Sequence, residues 1–140
     1  MPIQPGAAEG VAGTVEVYPQ FVPGLADLDG FSHLILIYVF HQAAEGKLEV
    51  TPFLDKRPRG IFSTRAPRRP NPIGLSVVRL VSVEGSRLNI ENVDILDGTP
   101  LLDIKPSIPE FDHFDVTGLG WYQPYAGRFR VIRSDDRFEK

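Results

Sequence analysis

The chain has 140 residues, of which 42% are hydrophobic and 24% charged, with a net charge of −3 and no cysteine. This length and composition fit one globular domain, large enough to bury roughly two-thirds of its unfolded surface. The missing thiols exclude a disulfide framework and a thiolate metal site. No apolar run reaches membrane-spanning length and no basic-then-apolar leader opens the chain, so the expected compartment is the cytoplasm.

Residues 1–13 are rich in Ala, Gly and Pro and read as extended or irregular. Alternating β-branched residues predict a strand at 14–18. A connection over 19–30 has room for one helical turn at 25–28. Residues 31–42, FSHLILIYVFHQ, are the strongest predicted strand. They are apolar on both faces, as in a strand buried on both sides or set in a barrel wall. Their Ile, Val, Tyr and Phe content and the lack of a cap argue against a helix. His33 and His41 share a parity but would stand roughly 26 Å apart along an extended strand, too far to share a metal. His33 reads as a structural residue at the strand start, and His41, beside Gln42 at its end, as a pocket-lining candidate.

After a shorter strand at 47–53, residues 60–80, GIFSTRAPRRPNPIGLSVVRL, are the most distinctive stretch. Predicted strands at 60–64 and 74–83 flank Arg65, Arg68 and Arg69, interrupted by Pro67, Pro70 and Pro72 with Asn71. Each proline fixes its own φ and pushes the preceding residue into extended backbone. Arginine is suited to planar, bidentate contact with carboxylate or phosphate. Lys56, Arg57, Arg59, Arg65, Arg68 and Arg69 are six of the 15 basic residues, within fourteen positions that hold no acid. Such a local patch attracts a polyanion even on a mildly acidic protein.

Glu84-Gly85-Ser86 turns the chain into a strand at 87–96, forming a hairpin. Asp97-Gly98-Thr99-Pro100 is a second turn, and the strand 101–105 stops at Pro106. Asn92, Asp94 and Asp97 are expected on one arm and Asp103 and Lys105 on the other, the last two sharing a face. Asp94 and Asp103 are candidates for holding a ligand amine or for general-base work. Residues 111–124, with Trp121 and Tyr122, are irregular by pattern. A last strand is expected at 127–133, and 133–140 is a charged tail. About seven short strands with almost no helical periodicity predict an all-β, single-domain β-barrel. There is no dinucleotide or Walker loop and no nucleophile elbow.

The stretches GFSHLILIYVFHQ, GIFSTRAPRRPNPIGLSVVRL and VDILDGTPLLDIKPSIP, in this order, closely resemble the signature blocks of the TsaA/TrmO-like family. Pro2-Ile3-Gln4-Pro5 is similar to that family's N-terminal ligand-contacting segment. The resemblance covers most of residues 2–109. It implies a small β-barrel methyltransferase, working as a homodimer, that uses S-adenosylmethionine to methylate N6 of threonylcarbamoyladenosine beside the anticodon of tRNA. The cofactor contacts it implies are Ile3, Gln4, Pro5, His41, Gln42, Arg65, Leu75, Asn92, Val93 and Asp94. Arg57, Arg59, Arg68 and Arg69 are then expected to meet tRNA phosphates, and no metal is expected. Two other readings stay open: methylation of a small molecule by the same fold, and a non-catalytic S-adenosylmethionine-binding module. Family members usually open with one further strand, and many bacterial ones carry a C-terminal domain; neither is expected here.

Overall fold

The computed structural model describes residues 11–91 and 93–127. Among them the fold is mostly β. Strands β1 (Ala12–Glu16), β2 (His33–Val39), β5 (Ile73–Glu84), β6 (Arg87–Glu91) and β7 (Leu101–Pro106) form one antiparallel sheet in the order β1-β6-β5-β2-β7. A short ribbon pairs β3 (Glu49–Val50) with β4 (Arg59–Gly60). A four-residue helix, α1 (Pro109–Asp112), follows β7, and 3-10 turns occupy Pro19–Leu25, Leu28–Gly30, Ile61–Ser63 and Gly120–Tyr125. The all-β expectation holds, but the described strands form an open sheet with β1 and β7 at its edges, not a closed barrel. No described helix is long and apolar enough to cross a membrane.

The hairpin at Gly85 forms as its chemistry dictates: Glu84 faces Arg87, and Gly85 takes φ 60°, a conformation that costs glycine little. Two expectations are corrected. Residues 60–64 are not a strand. Only Gly60 pairs, and Ile61–Ser63 is a 3-10 turn that Thr64 closes, its hydroxyl donating to Ile61 O at 2.8 Å. The strand 101–105 does not pair with 87–96. After β6 ends at Glu91 the chain crosses the sheet, and β7 pairs with β2 at the far edge. Turn chemistry marks a reversal of direction; it does not choose the partner strand. The predicted last strand and the tail lie outside the described residues.

One face of the sheet makes the core. Leu34, Leu36 and Tyr38 of β2, Val78 and Leu80 of β5, and Leu88 and Ile90 of β6 are buried together. Full burial of each such side chain stabilises by about 1.5–3 kcal/mol. Leu25 and Leu28 from the turns before β2, and Val93 and Ile95 from the crossing segment, cover this face. The other face is open. Ile35, Ile37 and Val39 are only half-buried, and the residues opposite them on β5, Val77, Leu75 and Ile73, are 42–45% exposed. The strand expected to be apolar on both sides is so, yet no described layer covers its second side.

Gly74 stands opposite Tyr38, and a Cβ there would lie 2.6 Å from Tyr38 Cε2 and 2.7 Å from Phe40 Cζ. The absent side chain lets the two rings meet edge-on at 5.5 Å over β5. A second fastening holds the turn Gly120–Tyr125 against residues 55–63. Trp121 Nε1 donates to Ser63 O at 2.7 Å, Tyr125 OH donates to Asp55 Oδ1 at 3.1 Å, and the Arg59 guanidinium sits 5.9 Å from the Trp121 ring centre. Arg59 Nε also donates to Asp55 at 2.6 Å, and that bond above all holds the Asp55 carboxyl down at about 2.

Gly74→Ala is expected to cost about 1–3 kcal/mol through overpacking, read as a lower urea midpoint at unchanged slope. Trp121 is the sole tryptophan and reports on the second fastening. Because the Asp55 carboxyl is depressed on folding, its contribution is complete above the ordinary aspartate value of about 4 and lost as pH falls through about 2. Trp121 emission should shift to the red across that window, and in Asp55→Asn it should already be shifted at neutral pH.

Candidate functional site

The proline-rich loop between Thr64 and β5 is held by its own arginines. Arg69 Nη1 donates to Thr64 O at 2.8 Å and to Ala66 O at 3.1 Å, and Arg68 Nε donates to Glu45 O at 3.0 Å. Lys47 N–H returns a bond to Arg68 O at 3.1 Å, and Gly46 lies so close that a Cβ would be 2.9 Å from Arg69 O. With these contacts the loop is tied to the segment leaving β2 as well as braced by Pro67, Pro70 and Pro72. Arg65 is placed differently. It is exposed, and its Nη2 reaches Leu75 O at 3.3 Å, so its guanidinium lies beside the first residues of β5.

The end of β2 arrives at the same place. Phe40 N–H donates to Pro72 O at 2.7 Å, and a tight turn follows in which His41 N–H bonds Val39 O at 2.9 Å. This sets exposed His41 and Gln42 next to the end of the arginine loop. From the other side comes the crossing segment after β6. Val93 packs on the core and against Gly13 of β1, where a Cβ would be 2.8 Å from its Cγ2. Asp94 Oδ1 accepts a 2.9 Å bond from Ser76 Oγ. Ser76 in turn is 2.8 Å from the hydroxyl of Tyr38. Burial pushes the Tyr38 phenol up, the Ser76 bond opposes this, and the nearby charges of Asp94 and Arg65 act in opposite senses on it. The carboxylate is linked to this hydroxyl through Ser76, while the guanidinium bonds Leu75 O.

Arg65 and Asp94 thus bond adjacent residues near the start of β5, with His41 and Gln42 at the adjoining strand end; Val93 packs on the core face, while the Leu75 side chain lies on the open face. Ile3, Gln4, Pro5 and Asn92 lie outside the described residues. Asp103 lies on the open face opposite Ile37, on the same side of the sheet as Leu75, and Lys105 Nζ at 2.8 Å holds its carboxyl below the usual range. Asp103 and Lys105 do share a face, as alternation predicts. Asp97 is exposed in the turn before β7. Of the four arginines expected on phosphates, Arg59, Arg68 and Arg69 are partly buried and donate within the protein, while Arg57 is exposed. A shallow open depression lined by Lys47, Glu49, Val50, Thr51, Pro58 and Arg68 flanks the loop on the β3–β4 side. Among the described residues no three His, Asp or Glu side chains gather as metal ligands.

Ser76 and Tyr38 were not singled out from the sequence. The signal was present: they are hydroxyl-bearing residues on the parity shared with Leu34, Leu36, Gly74, Val78 and Leu80, the face that is buried.

Comparison with known proteins fits this arrangement. The family described as tRNA-methyltransferase O N-terminal domain matches residues 1–113. A Pyrococcus abyssi protein described as "Probable S-adenosyl-L-methionine-binding protein" is 53% identical over 138 residues, covering 99% of this chain and 75% of that protein. The human tRNA (adenine(37)-N6)-methyltransferase is 42% identical over 92 residues, covering 63% of this chain and 21% of its own. A crystal structure of TrmO from Pseudomonas aeruginosa superposes with a TM-score of 0.69 at 42% identity, covering 86% of this chain and 53% of that one. The chain thus spans about half the length of the solved structure and about a fifth of the human enzyme. Since the match runs through the five-stranded sheet and ends just past α1, the chain belongs to the family of the tRNA-methyltransferase O N-terminal domain.

Proposed function

We propose that the chain is an S-adenosylmethionine-dependent methyltransferase acting on N6 of an adenosine in tRNA, the threonylcarbamoyladenosine beside the anticodon being the specific acceptor. The observation that carries this reading is that Arg65 and Asp94 bond adjacent residues of β5, at Leu75 O and Ser76 Oγ, in a chain of this family. An exposed guanidinium and a carboxylate tied to the sheet suit the two ends of a zwitterionic amino acid. Apolar surface for a flat heterocycle is assigned to Leu75 and Val93 from the family resemblance; Val93 lies on the core face of the sheet and Leu75 on the open one. Bound there, S-adenosylmethionine supplies an electrophilic methyl: an N–CH₃ bond forms as S–CH₃ breaks, the sulfonium becomes a thioether and the acceptor nitrogen loses its proton.

The chain's own work is to hold and orient. Arg65 takes the carboxylate, and the loop that carries it is fixed by proline and by Arg68 and Arg69, so little entropy is lost when a ligand binds. Positioning of donor and acceptor then accounts for most of the rate. Of the two candidate proton acceptors, Asp94 stands with Arg65, whereas Asp103 lies across the sheet in an ion pair with Lys105. His41 and Gln42 complete the described part of the cofactor site, with Ile3, Gln4, Pro5 and Asn92 assigned to it from the family resemblance.

A second reading has its own support. Arg59, Arg68 and Arg69 are engaged inside the protein, which favours a loop that contacts only cofactor and a small acceptor. We also infer that the protein is a homodimer. The open face bearing Ile73, Leu75 and Val77 is the apolar surface a second copy would cover, and Leu75 sets the cofactor site beside it. The closed barrel would require β1 and β7 to be joined by strands other than the five described.

Arg65→Ala should weaken S-adenosylmethionine binding about tenfold to a hundredfold, the loss of a charged hydrogen-bonding partner, seen as a smaller ligand-induced rise in thermal midpoint. Incubation with labelled cofactor and total tRNA or a pool of small metabolites identifies the acceptor: label in tRNA supports the first reading, label in metabolites the second, and binding without transfer removes both. Val77→Glu should convert dimer to monomer in sedimentation; a wild-type protein that sediments as a monomer would remove the homodimer.

A further inference from the structure

The core holds one polar thread. Ser76 is 1% exposed and Tyr38 6%, and both hydroxyls lie among Leu34, Leu36 and Val78. A buried hydroxyl costs free energy unless it is hydrogen-bonded. These two bond each other at 2.8 Å, and Ser76 bonds Asp94 at 2.9 Å. The direction of the thread follows from its end. An ionised carboxylate only accepts, so Ser76 donates to Asp94; its oxygen can then accept, so Tyr38 donates to Ser76. Both dipoles point at Asp94, and each bond polarises the next.

The three residues come from three segments, β2, β5 and the crossing segment. The first two are locked in a seven-residue antiparallel register. Asp94 has no strand to hold it, because residues 93–100 carry no regular structure. Its carboxylate is nevertheless tied to the most rigid part of the sheet. The tie depends on Gly74, whose missing side chain makes room for the Tyr38 ring that brings the hydroxyl to Ser76.

We propose that Ser76 and Tyr38 are positioning residues that hold the Asp94 carboxylate in register with Arg65, so that a segment without regular structure presents its charge from a fixed point. This rests on the reading of Asp94 as part of the cofactor and catalytic site. The two residues do not touch the ligand; they act through Asp94.

The test is a double-mutant cycle on the full chain, read by calorimetric titration with S-adenosylmethionine and by single-turnover methyl transfer. Asp94→Asn should lower affinity, transfer rate or both. Ser76→Ala should lower the same quantity by at least about threefold, as expected for directly coupled residues. Added to Asp94→Asn, it should cause no further loss. Ser76→Ala alone leaves the Tyr38 hydroxyl without its partner and can destabilise the fold. The pair Ser76→Ala/Tyr38→Phe removes both hydroxyls, keeps near-wild-type thermal stability and should reproduce the functional loss. Losses that multiply across Ser76→Ala and Asp94→Asn, or a fully active Ser76→Ala/Tyr38→Phe protein, overturn the positioning role while leaving the Asp94 assignment intact. If Asp94→Asn changes neither quantity, the Asp94 assignment falls and the positioning role with it.

Discussion

The antiparallel pairing of β2 with β5 is the constraint on which everything else in this chain depends. Seven consecutive residue pairs in unbroken register put Tyr38 against Gly74 and Leu36 against Ser76. A one-residue slip would turn every side chain of β5 to the other face. Tyr38 could then no longer lie over a glycine, Ser76 would leave the core, and Asp94 would lose its tie. The register is enforced by the row Leu34, Leu36, Val78 and Leu80, which must stay out of water, and by the close fit at Gly74. Packing that stabilises the fold and geometry that orders the site are here the same set of contacts.

The arginine loop divides its labour in a way that charge alone does not convey. Six cations in fourteen positions look like a surface for a polyanion, and in isolation they would repel one another. In the fold, Arg59 is neutralised by Asp55, Arg69 satisfies the carbonyls of Thr64 and Ala66 within the loop, and Arg68 satisfies that of Glu45 in the segment leaving β2. Proline removes donors from the backbone, and the guanidinium groups replace them. Stiffness therefore comes from both residue types together. Arg65, exposed at the edge of this scaffold, is the one placed beside β5, with its guanidinium on Leu75 O.

The two faces of the sheet have unequal fates. Among the described residues short turns and a crossing segment cover the inner face, while on the outer face Ile73, Leu75 and Val77 stay 42–45% exposed and Ile35, Ile37 and Val39 partly so. That row of Ile, Leu and Val is the surface on which the proposed homodimer rests. The turn Gly120–Tyr125 lies beyond the residues matched by the family domain, yet it packs back through Trp121 and Tyr125 onto the base of the arginine loop.

Much of this was legible in the sequence. The β-branched and aromatic content of residues 31–42 and 74–83 marked both central strands, the Gly85 and Gly98 turns announced themselves, and the Arg–Pro–Asn–Pro block marked the loop that carries Arg65. Those signals are local: backbone sterics and side-chain period act over a few residues. What needed the folded chain is long-range. Which strand β7 joins, that residues 61–63 curl into a turn, which arginines brace the loop, and that Ser76 links Tyr38 to Asp94 all depend on groups distant in sequence. Periodicity states which way a side chain faces, but only the closed register states what it meets there.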